Sequence, residues 1–360
     1  MMKSMMLGLF TIVAIASLFT ISSCQHRDIG DNELPDLTKA QSLAPTDSID
    51  LESRGILNPT TIRFSDDFLC FYVGNGNQEM HFLDLRNMNV IEKNIHGQGA
   101  NQVNRYEWIE TTDTNVIKYI DFSKWDLYAF YLDSLRANSE AEPVWLYQIP
   151  KKKGITFLQE AMEIGRYVYF TGVYTSGEGW IYCYDKQTQE FRSYGDFPAY
   201  EELADAEYMT QSMIFNLMIK ATNGKRLSLS LGGTLDFYDI SEDGELKPYR
   251  EHHYYLPRVI IYPNGTFAYS SKAKRGFCYG LTYDERYLMV LFTDKTFKEN
   301  PDMNCEYLFV YDWDGNPVKQ FALEKPLHDL AINGNTLYGL SREVEPIVYI
   351  YSLEDLLKSK

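Results

Sequence analysis

The segment Tyr307-Leu308-Phe309-Val310-Tyr311-Asp312-Trp313-Asp314-Gly315 decides the fold. Five apolar or aromatic residues lead into an aspartate and then a glycine-bearing turn, the pattern of a strand running into a hairpin. Aspartate suits that place because its carboxylate accepts backbone N–H groups of the turn. The phrase recurs at His81-Phe82-Leu83-Asp84-Leu85-Arg86-Asn87, at Trp180-Ile181-Tyr182-Cys183-Tyr184-Asp185-Lys186 and at Thr234-Leu235-Asp236-Phe237-Tyr238-Asp239-Ile240. A degenerate copy, Ile347-Val348-Tyr349-Ile350-Tyr351-Ser352, lies near the end of the chain. Ahead of each copy runs another apolar strand, as in Phe68 to Val73 and Tyr287 to Phe292.

Strand, hairpin, strand, aspartate turn, strand is how a four-stranded blade reads from the axis of a propeller to its rim. With a less regular unit at Tyr106 to Ile149, six units begin near residues 59, 106, 156, 213, 277 and 327. The expectation is an all-β, six-bladed β-propeller over residues 53–360. Composition agrees: 28 Tyr, 20 Phe and 5 Trp make 15% of the 360 residues, and a blade that buries both faces needs such flat side chains. Two β-sandwiches would require a linker near the middle, and no Pro/Gly/Ser-rich stretch is found there. The segment from Pro198 to Met209, with proline near a first turn and early acids, predicts a short surface helix inserted between the third and fourth blades.

Residues 1–23 carry Lys3, an apolar run from Leu7 to Ile21 and small residues before Cys24. About 15 apolar residues are too few to span a bilayer comfortably, so this segment reads as an export signal. Ile21-Ser22-Ser23-Cys24 has the form of a bacterial lipobox, which makes Cys24 the expected acylated first residue of the mature chain. Residues 24–52 are polar, with Pro35 and Pro45, and are expected to be a flexible tether. The acids Asp28, Asp31 and Glu33 favour surface display over periplasmic retention only slightly, so the expected location is the cell envelope, on the outer membrane.

Fifty acidic against 34 basic residues give a net charge of −16, which repels phosphate backbones and argues against nucleic acid as a partner. The cysteines of the body, Cys70, Cys183, Cys278 and Cys305, sit in apolar segments without CxxC spacing and read as buried free thiols, not as a zinc or redox site.

The lipobox, the polar tether, the opening Leu57-Asn58-Pro59 and six divergent blades with aspartate turns together resemble the TolB-like six-bladed propeller lipoproteins of anaerobic gut bacteria. The resemblance spans about residues 53–356 and implies a fold and a location, but no reaction. Members often carry a G-x-G-P-G-E turn after the first blade. Here His96-Gly97-Gln98-Gly99-Ala100-Asn101-Gln102 keeps two glycines and lacks the proline, the third glycine and the acid.

Chemistry is sparse. There is no HExxH, GxSxG, P-loop or GxGxxG after a strand. His252-His253 reads as an exposed loop pair, and Asp312 to Asn316 as a turn, because glycine comes fourth and Leu323 stands where a calcium loop needs an acid. Lys151 to Lys153 reads as a solvated turn. No cofactor and no metal are expected. Loops that lead into innermost strands converge on one face of a propeller, which puts Asn58, Arg105, Gln159, Gln211, Tyr279, His328 and Asp329 forward as candidate ligand-binding residues at the channel mouth. The function expected is a lipid-anchored binding or scaffold module for a glycan, peptide or protein. The alternative is a propeller hydrolase or lyase using Arg105, His328 and Asp329.

Overall fold

The computed structural model describes residues 34–354, except 75–78, 96, 98–105, 112, 177–178, 198–202, 204–205, 216–217 and 256–257. The signal segment, Cys24, Arg105 and all of the glycine-bearing turn at 96–102 except Gly97 therefore lie outside the described residues.

The first two strands, β1 (Gln41–Leu43) and β2 (Asp47–Asp50), precede the first blade. That blade is β3 (Pro59–Ser65), β4 (Phe68–Val73), β5 (Glu79–Asp84) and β6 (Asn89–Asn94). The second is β7 (Tyr106–Thr111), β8 (Val116–Asp121), β9 (Asp126–Tyr131) and β10 (Val144–Gln148), with helix α1 (Leu132–Ala137) between its last two strands. The third is β11 (Ile155–Ile164), β12 (Tyr167–Tyr174), β13 (Ile181–Asp185) and β14 (Glu190–Tyr194), followed by helix α2 (Tyr208–Ile214). The fourth is β15 (Met218–Thr222), β16 (Arg226–Leu231), β17 (Gly233–Ile240) and β18 (Leu246–Tyr255). A separate hairpin, β19 (Val259–Ile261) and β20 (Phe267–Tyr269), comes before the fifth blade. That blade is β21 (Lys274–Tyr283), β22 (Tyr287–Thr296), β23 (Cys305–Asp312) and β24 (Pro317–Leu327). The sixth holds β25 (Asp329–Asn333), β26 (Thr336–Ser341) and β27 (Ile347–Ser352), with β2 as its outermost strand.

The inner strands stand side by side around the axis, β25 next to β3 and to β21, β15 between β21 and β11, and β11 next to β7. The all-β six-bladed propeller expected from the recurring phrase is the fold. In three blades the aspartate acts as expected. Asp84 Oδ1 accepts the Arg86 N–H at 3.0 Å, Asp185 Oδ1 the Gln187 N–H at 2.9 Å, and Asp312 Oδ1 the N–H groups of Asp314 and Asn316 at 3.0 and 2.8 Å.

Two boundaries differ from expectation. Residues 41–50 are not tether: β1 adds parallel to β24, with Gln41 opposite Phe321, and β2 pairs antiparallel with β27, with Ser48 opposite Tyr349. An edge strand buries one face only, so Ile49 and Leu43 are the sole apolar residues these strands need, and the remainder looks like linker. The helix expected at 198–209 falls mostly outside the described residues. α2 occupies the expected gap between blades but begins at Tyr208.

The core lies between blades. Phe68, Phe82, Tyr119, Tyr128 and Phe130 fill the first gap. In the gap between blades four and five, Phe237, Tyr254, Phe277, Phe292, Phe309 and Tyr311 interlock, with Phe292 stacked on Phe309 at 4.6 Å. Blades six and one meet through Leu340 and Val348 against Leu69, Phe71 and Leu83. The four described cysteines are free and buried.

Because β2 completes the last blade, Ile49, 7% exposed, is part of the ring's closure. Ile49→Ala is expected to lower stability by about 2 kcal/mol, read as a shift in the urea midpoint. Removing residues 34–50 should cost more.

Candidate functional site

Each inner strand begins at one rim of the ring and ends at the other; we call the starting rim upper and the finishing rim lower. On the axis, where a charged side chain has no bulk water, Arg63 of β3 sits with only 12% of its side chain exposed. Its Nε lies 2.6 Å from Glu110 Oε1 of β7, and its Nη1 lies 3.1 Å from Asp329 Oδ2 of β25. Burial works against the guanidinium charge, but the fields of Glu110, Asp329, Glu160 and Glu107 outweigh it and raise the Arg63 pKa further above its ordinary range. The same Asp329 oxygen accepts the Ile62 N–H at 2.9 Å, and Asp329 Oδ1 accepts the Leu330 N–H at 2.9 Å. Asp329 thus fastens blade six to blade one at the axis.

Below Arg63 opens a cavity of about 480 Å³ at the lower rim. Its lining comes from the ends of inner strands and the turns after them: Phe64 and Ser65 of the first blade, Glu110 and Thr111 of the second, Thr282 and Tyr283 of the fifth, and Ile332 and Asn333 of the sixth. Hydroxyls and amides share the lining with the carboxylates of Asp66, Glu110, Asp284 and Glu285, and Tyr283 and Phe64 supply aromatic surface. Burial, with the nearby Glu110 adding to it, raises the Tyr283 phenol well above its usual range, so it stays protonated and able to donate. Ser65 Oγ donates to the Thr114 carbonyl at 2.6 Å, a structural bond with no base beside it.

Of the residues put forward from sequence, Arg105 lies outside the described residues, and the others belong to different elements of the upper half of the ring. Asn58 is exposed just before β3, in the left-handed region at φ 51°. Gln159 lies where β11 loses register with β12, between Leu158 and Ala161, and its Oε1 is buried without a hydrogen-bond partner among the described residues. Tyr279 falls in the matching irregularity of β21, between Phe277 and Leu281, and its side chain lies outside the described residues. The adjacent Gly280 lets blades five and six approach, since a Cβ there would stand 2.3 Å from Leu291 Cδ1 and 3.1 Å from Asp329 Cα. Gln211 is on α2 and donates to the Ala206 carbonyl at 2.9 Å.

His328 and Asp329 diverge, as neighbours at the start of a strand must. His328 Nδ1 lies 3.1 Å from the Asp302 carbonyl and its Nε2 lies 3.3 Å from Arg342 Nη1. A carbonyl only accepts, so Nδ1 carries a proton toward the Asp302 carbonyl. The imidazole faces a guanidinium and a carbonyl, while the Asp329 carboxylate faces the first blade. His252 and His253 are also corrected: they lie half-buried on β18, not in an exposed loop. His252 Nε2 lies 2.6 Å from the Gly315 carbonyl and His253 Nε2 lies 3.0 Å from Asp236 Oδ1. Burial lowers the His252 pKa. Among the described residues no group of three or more histidine, cysteine or acidic side chains is placed to hold a metal ion.

Sequence reasoning missed Arg63, Glu110 and Tyr283. A usable signal existed, since Arg63 interrupts an apolar inner strand and Glu110 does the same in the next blade, where an unpaired charge would be too costly to bury.

A family model described as TolB-like 6-blade propeller-like matches residues 172–335, from the third blade into the sixth. Among solved structures, a protein of unknown function from Bacteroides thetaiotaomicron VPI-5482 aligns at a TM-score of 0.50 and 12% identity, over 87% of this chain and 74% of that one. A putative exported protein from Bacteroides fragilis NCTC 9343 aligns at 0.49 and 10%, over 86% and 98%. The β-propeller domain of Cps50 (Swd1) from Myceliophteria thermophila aligns at 0.46 and 10%, over 86% and 98%. No curated protein matches.

Replacing Arg63 by methionine would leave Glu110 and Asp329 buried beside an uncharged side chain. Arg63→Met is expected to cost about 3–5 kcal/mol of stability, and the triple variant that adds Glu110→Gln and Asp329→Asn should recover part of it in urea unfolding.

Proposed function

We propose that this TolB-like β-propeller is a binding module of the cell envelope, held to a membrane through an acylated Cys24, which takes a glycan in the cavity at its lower rim. The observation that carries the reading is the lining of that cavity. Ser65, Thr111, Thr282 and Asn333 offer hydroxyls and an amide suited to sugar hydroxyls, and Tyr283 offers a ring on which a sugar face can stack. Arg63 is already ion-paired with Glu110 and Asp329, so it supports the floor of the cavity, while Asp66, Asp284 and Glu285 add carboxylate acceptors for sugar hydroxyls. A binding role is supported further by His328 and Asp329, which face different neighbours and so do not form the couple that a hydrolase or lyase would require. A peptide with polar side chains would meet the same groups and is the competing ligand.

The protein lacking residues 1–23 is expected to bind a subset of a glycan array. For a glycan so identified, calorimetric titration should show about a tenfold or greater loss of affinity in Tyr283→Ala and a small loss in Tyr283→Phe. Affinity unchanged by Tyr283→Ala would remove the cavity from the account. For the anchor, metabolic palmitate labelling of the full chain should disappear in Cys24→Ala, and the protein should leave the membrane fraction. Labelling that persists in this variant would place the acyl group elsewhere or nowhere.

A further inference from the structure

The upper rim carries apolar side chains that no blade uses. In the β19–β20 hairpin, Val259 pairs with Tyr269, Ile260 with Ala268 and Ile261 with Phe267. Cross-strand partners share a face, so Val259, Ile261, Phe267 and Tyr269 lie on one side and Ile260 and Ala268 on the other. The first side turns inward, since the Tyr269 ring stacks on Phe297 at 4.2 Å. The second turns outward: Ile260 is 52% exposed, and Tyr262 at the hairpin turn is 46% exposed.

Helix α2 is fastened to this hairpin. Thr210 Oγ1 donates to the Gly265 carbonyl at 3.0 Å, and the Tyr269 hydroxyl donates to the Ile214 carbonyl at 3.3 Å. The helix exposes Met209 and Met213, which are one turn apart and on one face. A joined helix–hairpin unit therefore presents Met209, Met213, Ile260 and Tyr262 to solvent.

The charge of the hairpin segment is opposite to that of the molecule, while the exposed Glu207 stands at the start of α2 and the exposed Glu299 follows Lys298. From His252 to Tyr283 the chain has no aspartate or glutamate, although the whole protein carries 50 acids in 360 residues. Arg258 and Lys272 at the two ends of the hairpin are exposed, as is Lys298 beside Phe297. None of the three forms an ion pair among the described residues. Lys274, by contrast, is paired with Asp294 at 3.2 Å, and Arg275 donates to the Pro301 carbonyl at 3.2 Å.

We infer that this surface docks a protein partner that presents apolar side chains flanked by carboxylates. Methionine, tyrosine and arginine are the residues enriched at the cores of protein interfaces, and the three unpaired cations give the register in which an acidic rim would sit. A bilayer is the weaker match. Clusters of four to eight basic residues mark anionic lipid recognition, and a body with a net charge of −16 is repelled by such a surface outside the patch.

The test uses the full chain in its own cells with a photo-crosslinking residue at position 260, and at the exposed Thr188 in the β13–β14 turn as the control position. Light should attach a second protein at 260 and not at 188. The double charge reversal Arg258→Glu/Lys272→Glu should cut the yield about tenfold, with the thermal unfolding of the purified variant unchanged. An adduct with lipid or with another copy of this chain would overturn the inference. So would a protein adduct indifferent to the charge reversal, or the absence of any adduct at 260.

Discussion

The structure depends on flat apolar surface packed between sheets that radiate from one axis. No blade can bury both faces alone, and each interior here belongs to two blades at once. Phe82 of the first blade meets Phe130 of the second at 5.3 Å, and Phe309 of the fifth lies within reach of Tyr254 of the fourth at 6.4 Å. Aromatic rings suit that geometry because they add area without thickness and tolerate both edge and face contact. Where aromatic packing thins, hydroxyls take over. Tyr169 and Tyr194 of the third blade both donate to the Gly244 carbonyl of the fourth, at 2.9 and 3.1 Å. Tyr169 and Tyr194 thus serve as packing bodies with a polar tip that finds a partner across a gap.

At the axis the constraint changes character. Inner strands converge too closely for large rings, and main-chain groups there lose their outer neighbours. Asp329 answers this by accepting from two backbone N–H groups and from Arg63, so one carboxylate joins the last blade to the first. Glu163 plays a comparable part between blades two and three, ion-paired to Lys118 and Lys186 and accepting from the Tyr147 hydroxyl at 3.1 Å. Burial alone would raise the Glu163 pKa, and the two lysines reverse that and hold it low. These charges fix the frame, and the lower-rim cavity around Tyr283 is lined by hydroxyls, amides and further carboxylates.

The number of blades, their phase and the aspartate turns were legible because strand alternation and turn chemistry are local. Asp84, Asp185 and Asp312 do within a few residues what their sequence context implies. Residues 41–50 were not legible. An edge strand with one apolar side chain, Ile49, has no periodicity to detect, and its partner lies at the far end of the chain. The lower-rim cavity was not legible for a related reason. Which strand ends line a cavity depends on how the inner strands crowd one another around the axis, and that is not written in any local pattern. His252 and His253 mislead because β18, at ten residues, runs longer than its apolar pattern suggests.

The pairing of β2 with β27 has a bearing on how the molecule comes into being. The Thr46 hydroxyl bonds to the carbonyl of Ile350, 304 positions later. As the chain is synthesised from its N-terminus, the segment that will become the outermost strand of the last blade is made first and its partner nearly last. Until then it has an open edge and no neighbour, and closing so long a loop adds an entropic cost that grows only slowly with length. Ring closure therefore has to wait for residues 347–352, and a chain cut short before residue 347 would leave β2 without the strand it pairs with.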